Sequence, residues 1–414
     1  MRKKVIVIGG GFAGLQFCRN IDKSIFDVLL IDKFNHHQFQ PLFYQVATSQ
    51  IEPSSISFPL RNIFKGSKGI QIRLAEVTKI EPEGKKVISS IGTFEYDYLV
   101  IASGCKTNFF NNKNIEDNAF VLKSTYDSIN IRNHILTNFE KMYSAKPEEK
   151  ASLLNLVIVG AGPTGVELAG AFAEIKKEIL PKDFPDIDFS GFTVYLIEGA
   201  RDTLVNMSPL ARRASAEYLR KMGVKVITET FVKDYDGKQA VLSNGERIQT
   251  ATLIWAAGVS GNTISGFGDD AWTKAGRIPV NRFNQLENFP EVFAIGDISL
   301  MHTEKYPNGH PQVANVAINQ AKVLAKNLAR IEKGKELIKY EYRNMGTMAT
   351  IGRRKAVVDL PFVRFKGFFA WVVWMFLHLM LILSVRNKVI IFINWAWNYI
   401  SKDSSLRLIL KPQK

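Results

Sequence analysis

Two glycine triplets and the acids that follow them are the residues of this chain best placed to do chemistry. The first is Gly9-Gly10-Gly11-Phe12-Ala13-Gly14, spaced G-x-G-x-x-G and entered from the apolar run Val5-Ile6-Val7-Ile8. A helical stretch and a second apolar run, Val28-Leu29-Leu30-Ile31, follow and end at Asp32, eighteen residues beyond Gly14. In such an arrangement the first glycine permits a tight turn. The second lets the backbone approach a pyrophosphate, and the third lets helix and strand pack closely. The helix start offers free N–H groups and a positive dipole end to phosphate, and Asp32 is spaced to bond a ribose hydroxyl. The pattern then returns: Leu156-Val157-Ile158-Val159 enters Gly160-Ala161-Gly162-Pro163-Thr164-Gly165, and the run Thr193 to Ile197 ends at Glu198. Glu198 stands 33 residues after Gly165 because Lys176 to Gly191 reads as a polar insertion.

A later echo supports one nucleotide fold present twice. Tyr98-Leu99-Val100-Ile101-Ala102-Ser103-Gly104 resembles Thr252-Leu253-Ile254-Trp255-Ala256-Ala257-Gly258. A carboxylate at Glu198 accepts the 2′-hydroxyl of NADH and repels the 2′-phosphate of NADPH. Arg201 softens that preference, so NADH is favoured and NADPH stays open. Downstream, Val292-Phe293-Ala294-Ile295-Gly296-Asp297 reads as a short buried strand ending in Gly-Asp.

Other chemistries find little support. Cys18 and Cys105 are the two cysteines; they form neither a redox dithiol motif nor a disulfide framework. His36-His37 has no partner at ligand spacing, so no metal site is expected. The N-terminal apolar run is too short for a signal peptide, which points to cytosolic exposure. The formal net charge of +15 calls for an anionic partner, but Arg353-Arg354-Lys355 reads as a solvated turn, and no nucleic-acid motif accompanies it.

The tail accounts for much of that charge. Phe368 to Leu383 is a sixteen-residue apolar run, slightly short for a spanning helix of roughly 20 residues. A basic break at Arg386 and Lys388 precedes a second run, Val389 to Ile400. From Pro361 onward eight Lys or Arg (364, 366, 386, 388, 402, 407, 411, 414) face one acid, Asp403, and four of the six tryptophans fall here. Such aromatics and bases suit the headgroup boundary of an anionic membrane. A monotopic anchor is the expectation; a single span and a buried helix pair in a dimer interface are the alternatives.

These motifs resemble the pyridine nucleotide-disulfide reductase superfamily without its paired cysteines. Asn35-His36-His37-Gln38-Phe39-Gln40-Pro41-Leu42-Phe43-Tyr44-Gln45-Val46-Ala47-Thr48 narrows the resemblance to type II NADH dehydrogenases, the single-subunit NADH:quinone oxidoreductases. Trp255 to Asn262 and Met348 to Arg353 match the same family, and the likeness covers essentially the whole chain. It implies FAD and NADH, hydride transfer from NADH to flavin N5, and two electrons passed on to a membrane quinone without proton pumping. Gly9, Gly10, Gly11, Phe12, Ala13, Gly14, Asp32, Lys33, Val77, Ala102, Gly104, Gly296, Asp297 and Ala314 are implied FAD contacts, with Asp297 facing the ribityl chain. Gly160, Gly162, Pro163, Thr164, Gly165, Glu198 and Gly258 are implied NADH contacts. Glu167, in the first turn after the second triplet, is implied to lie near nicotinamide and flavin. There it would orient the amide or relay a proton; a plain helix-start acid favoured by the dipole is the other reading. Two departures bear on quinone: Asn315 and Asn319 replace the two Gln of a family motif, and Met345 stands where some relatives have Lys.

The expected fold is α/β, with two Rossmann-like dinucleotide-binding domains, one inserted in the other, and a C-terminal amphipathic helical membrane anchor. FAD would occupy residues 1–112 and 265–355, NADH 113–264, and the anchor 356–414. The helix after Asp297 is expected to show an apolar face of Val313, Ala317, Ala321 and Leu324. The expected location is the cytoplasmic face of the cell membrane, with the quinone and the lipid surface as partners and a homodimer left open. An NAD(P)H oxidase or diaphorase with another acceptor, and a membrane-docked NADH-sensing flavoprotein, remain as alternatives.

Overall fold

A computed structural model describes residues 2–402 and 406–410; Asp403, Lys411 and Lys414 lie outside the described residues. The helices that matter below are α1 (Phe12–Asn20), α2 (Phe43–Ala47), α3 (Thr125–Lys141), α4 (Pro163–Glu174), α5 (Ala314–Glu332), α6 (Phe368–Leu381) and α7 (Val385–Ser401). The chain divides into two units. One takes the described residues of 1–38, 58–106 and 259–344; the other takes those of 39–57, 107–258 and 345–414.

The first unit is built on Lys3–Ile8, whose apolar residues are shielded on both faces. It pairs in parallel with Phe26–Asp32 on one side and Tyr98–Ile101 on the other. Ile70–Leu74 and Phe289–Ala294 extend the sheet in parallel, and Gln285–Leu286 closes it antiparallel at the edge. Near-continuous apolar runs such as Val5-Ile6-Val7-Ile8 are what a parallel sheet covered on both faces requires. Helices α1 and α5 pack together, and a small antiparallel sheet, Val77–Glu81, Lys86–Ser89 and Gly92–Glu95, is appended. In α5, Ala317, Ala321 and Leu324 are buried as expected. Val313 precedes the helix and is exposed, because at the cap position it has left the helical face.

The second unit repeats the design. Its parallel sheet runs Phe120–Val121, Thr252–Trp255, Asn155–Val159, Thr193–Ile197, Lys225–Ile227, with Val157 and Ile158 wholly buried. The segment after α4 is not simply polar: Phe184, Phe189 and Phe192 pack edge-on around Phe139.

The tail belongs to this second unit. It forms two helices, but α7 begins at Val385, ahead of the expected second run. Arg386 and Lys388 lie inside its first turn, and Lys388 Nζ donates to Met380 O at 3.0 Å. That bond satisfies a carbonyl left open at the end of α6, so the expected basic break serves as a cap. Among the described residues no helix is long and apolar enough to cross a membrane.

Candidate active site

The first cradle follows from steric demands on three glycines. Gly9 has φ +102°, and a Cβ there would lie 2.4 Å from Ala102 O; one on Gly14 would lie 1.8 Å from Gly9 O. A Cβ on Gly11 would meet nothing within 4 Å. Two glycines are therefore fixed by packing, while the third keeps open the surface a pyrophosphate needs. Asp32 accepts from Gly10 N at 2.5 Å and Phe34 N at 2.6 Å. Burial raises its pKa against the pull of those two donors. Gly296 abuts Ala13 and donates its N–H to Gln320 Oε1 at 2.8 Å, which ties the end of Phe289–Ala294 to α5. Asp297 accepts from Cys105 Sγ at 3.1 Å through its side chain and from Gln312 Nε2 at 3.0 Å through its backbone. Phe12 meets His37 edge-on, and His37 Nδ1 bonds Gly10 O at 3.0 Å. Burial lowers the His37 pKa to about 4, so the ring stays neutral and donates that bond.

The second cradle repeats these contacts. A Cβ on Gly160 would lie 2.8 Å from Ala256 O and one on Gly165 1.9 Å from Gly160 O, while Gly162 again faces open space. Glu198 accepts from Ala161 N at 2.6 Å and Ala200 N at 2.8 Å. Ala161 and Ala200 occupy the positions of Gly10 and Phe34, so the duplication extends to individual hydrogen bonds. Pro163 opens α4 at its first turn, where a missing N–H costs nothing. Thr164 is exposed beside it, and Gly258 takes φ +78°, a conformation that favours glycine, beside the Phe110 ring.

Also within the second unit, Glu167 lines a recess partly open to solvent. Glu167 Oε1 accepts from Thr350 N at 3.3 Å. Thr350 Oγ1 lies 3.1 Å from Tyr44 OH, which accepts from Gln45 Nε2 at 2.9 Å; Gln45 Oε1 accepts from Trp395 Nε1 at 2.8 Å. Tyr44 OH thus joins Gln45 to Thr350, and either hydroxyl can donate across the contact with Thr350. Trp374 completes the wall, stacked on His378 with ring centroids 4.0 Å apart. Burial pushes the Glu167 pKa up to about 8, against the opposing pull of the Thr350 N–H and the Trp374 indole. At neutral pH the carboxyl is therefore largely protonated and able to give a proton. Two of the tail tryptophans, Trp374 and Trp395, are buried in this wall, whereas the sequence suggested a headgroup setting for them.

Residues 3–321 match the pyridine nucleotide-disulphide oxidoreductase family, and residues 344–402 match the NDH2 C-terminal domain. A type II NADH:quinone oxidoreductase of Mycobacterium tuberculosis is 33% identical over 416 residues, covering 97% of this chain and 89% of its own. The chain belongs to the type II NADH:quinone oxidoreductase family. An external NADH-ubiquinone oxidoreductase of yeast mitochondria, from Saccharomyces cerevisiae, is 27% identical over 98% of this chain and 82% of its own. Among solved structures, NDH2 from Plasmodium falciparum in complex with NADH shares the fold. Its TM-score is 0.90 at 22% identity, covering 99% of this chain and 100% of that one. The sulfide:quinone oxidoreductase of Aquifex aeolicus shares it more distantly, with a TM-score of 0.73 at 20% identity, covering 97% and 96%.

Lys33 sits over the Phe34 ring, 5.4 Å from its centroid. Val77 starts a strand and packs half-buried on the core, Ala102 is buried, and Gly104 takes φ +70° with open space at its Cα. Ala314 is the first residue of α5. Asn319 Nδ2 donates to both Asn315 O, at 2.9 Å, and Asn315 Oδ1, at 2.6 Å, while Asn315 donates to Arg343 O at 3.1 Å. The pair thus bonds to itself one helical turn apart, and Met345 is exposed. Sequence reasoning assigned no site role to His37, Tyr44, Gln45, Gln320, Thr350, Trp374 and Trp395, although four of them, His37, Tyr44, Gln45 and Thr350, stand in segments that carried the family resemblance.

Proposed function

We propose that this chain oxidises NADH with bound FAD and reduces a membrane quinone, moving no protons across the membrane. The observation that carries the reading is the Glu167 recess. It is a buried protonated carboxyl in a pocket walled by Trp374 and Trp395, on helices whose other faces expose Phe369, Phe376, Phe392 and Trp397. A lipid-soluble acceptor and a proton donor are thereby served from the same two helices.

FAD, when bound, supplies the hydride-accepting and electron-donating chemistry. Around it the first unit's residues have distinct tasks. Gly11 and the start of α1 receive the pyrophosphate, Asp32 takes a ribose hydroxyl, and Gly296 and Asp297 hold the ribityl side, with Lys33, Val77, Ala102, Gly104 and Ala314 as flanking contacts. Both cradles fit such a group: a Cβ would be free to grow only at Gly11 and Gly162, where phosphate would lie. In the second unit Gly162 and α4 receive the NADH pyrophosphate, Glu198 takes the adenosine ribose, and Gly258 lets the chain pass close by. Glu167 holds one of the two protons that convert quinone and two electrons to quinol. Asn315 and Asn319 border the quinone, with reach shortened by one methylene each relative to Gln.

We further place the protein on the cytoplasmic face of the membrane, lying on anionic lipid through α6 and α7, with FAD in residues 1–112 and 265–355 and NADH in 113–264. The test is turnover of purified protein. NADH consumption should require added quinone and release one quinol per NADH, with oxygen a poor substitute. Consumption that proceeds equally well without quinone would make it an oxidase.

A further inference from the structure

Arg132, on α3 in the second unit, is a buried charge with no counter-charge among the described residues. Its side chain is buried, at 3% exposure. Among the described residues its Nε and one terminal nitrogen have no hydrogen-bond partner, and no ion pair to it is found. Burial lowers its pKa, and no carboxylate acts to raise it. A guanidinium nonetheless stays protonated, and a buried charge is normally paired.

Arg132 lines a small recess, partly open to solvent, with Thr48, Ser49, Phe139, Phe172 and Ile175. One carboxylate, Asp183, borders the same recess, but Arg407 already holds it; the second contact, Arg407 Nη2 to Asp183 Oδ1, is 3.0 Å. The lining residues therefore include two arginines against one carboxylate among the described residues, leaving one positive charge uncompensated beside a mostly apolar recess. Asn133 and Leu410 bond nearby, N–H to Oδ1 at 3.0 Å, so the tail segment passes over the helix that presents Arg132.

We infer that Arg132 is an oxyanion-binding site, taking a compact phosphate or carboxylate into this recess under the Arg407 segment. The complementary chemistry is a fork of N–H donors meeting two oxygens, with the Ser49 hydroxyl on the same recess as an additional donor. A free anion and the acidic headgroup of a lipid carry the same group and are separated by experiment. The site is distinct from both dinucleotide cradles. Because Ala47 to Ser49 continue directly from Tyr44 and Gln45, its occupant would brace the segment that shapes the Glu167 recess.

The test uses detergent-purified holoprotein with FAD bound and saturating NAD⁺, so that both cradles are filled. Thermal unfolding is followed at constant ionic strength, set with sodium chloride. Inorganic phosphate should raise the midpoint saturably, by about 2–4 °C well above its Kd. Arg132→Gln should abolish the rise, and Arg132→Lys should keep a weaker one. In the second arm, vesicles of phosphatidylcholine with phosphatidic acid replace free phosphate. An Arg132-dependent rise there but not with phosphate assigns the site to a lipid headgroup, and the reverse assigns it to a soluble anion. If Arg132→Gln does not fold, equilibrium dialysis of labelled phosphate against wild type replaces it, with one extra phosphate bound per chain expected. Absence of saturable binding in both arms, or an equal response in Arg132→Gln, overturns the site.

Discussion

The backbone N–H of Thr350 reaches the side chain of Glu167 at 3.3 Å across a sequence separation of 183 residues. That contact is one donor set against full burial, and burial prevails: the carboxyl titrates at about 8. The sign of the consequence is fixed by linkage. Between the ordinary carboxylate value near 4.5 and about 8, the folded chain holds a proton that the unfolded chain has lost, so stability falls as pH rises through that window. The loss is on the order of 4 kcal/mol. Glu167→Gln should flatten it, seen as unfolding midpoints that no longer decline between pH 5 and 8. The rate of quinol formation should also fall above about pH 8 in wild type and be low, with that pH step absent, in the variant.

The glycines make a sharper test because they separate folding from binding. Gly11→Val and Gly162→Val place side chains where the protein has space, so both variants should fold. Gly11→Val should lose flavin, read as absorbance near 450 nm per chain. Gly162→Val should keep its flavin but raise KM for NADH by about tenfold or more. Gly14→Ala should fail to fold, because its Cβ would lie 1.8 Å from Gly9 O.

Glu198 accepts two backbone N–H groups, from Ala161 and Ala200, which holds its charge at the mouth of the second cradle. Glu198→Gln should lower the NADH to NADPH ratio of kcat/KM by about tenfold, chiefly through reduced repulsion of the 2′-phosphate. An unchanged ratio would remove Glu198 from nucleotide choice.

Membrane attachment can be separated from the recess. Truncation at Phe368 would remove Trp374 and Trp395 along with the exposed face. Replacing Phe369, Phe376, Phe392 and Trp397 with Ser leaves those two in place, and all four are more than half exposed. The quadruple variant should move to the soluble fraction while its flavin content and NADH oxidation with a soluble quinone persist. Continued sedimentation with membranes would mean that another surface attaches the chain.

Asn315 and Asn319 bond one another along α5. Changing both to Gln lengthens each amide by one methylene and should shift KM for quinone several-fold without affecting flavin reduction by NADH. Equal quinone kinetics would take both residues out of the quinone site.

The cradles were legible because their chemistry is local: a strand, three glycines, a helix and an acid lie within a few dozen residues, and the backbone admits few alternatives. The Asp32 and Glu198 contacts follow the same logic, although an insertion lengthens the second loop. The recess was not legible in that way. Tyr44, Glu167, Thr350, Trp374 and Trp395 come from segments with no shared periodicity, and packing within the second unit alone joins them. The tail was half legible: its apolar length fixed α6. Its tryptophans, however, divide between a buried wall and an exposed face, and composition alone does not separate those two environments. Nor did any local signal mark Lys388 as a cap for α6, since that depends on the angle at which the two helices meet.

The most direct measurement is stopped-flow mixing of purified holoprotein with NADH, followed by mixing of the reduced protein with a soluble quinone. The expected result is rapid bleaching of flavin absorbance by NADH and rapid, full recovery with quinone, the recovery slowed in Glu167→Gln while bleaching is spared. Bleaching that quinone does not reverse would contradict the quinone-reductase assignment and leave a flavoprotein that only senses NADH.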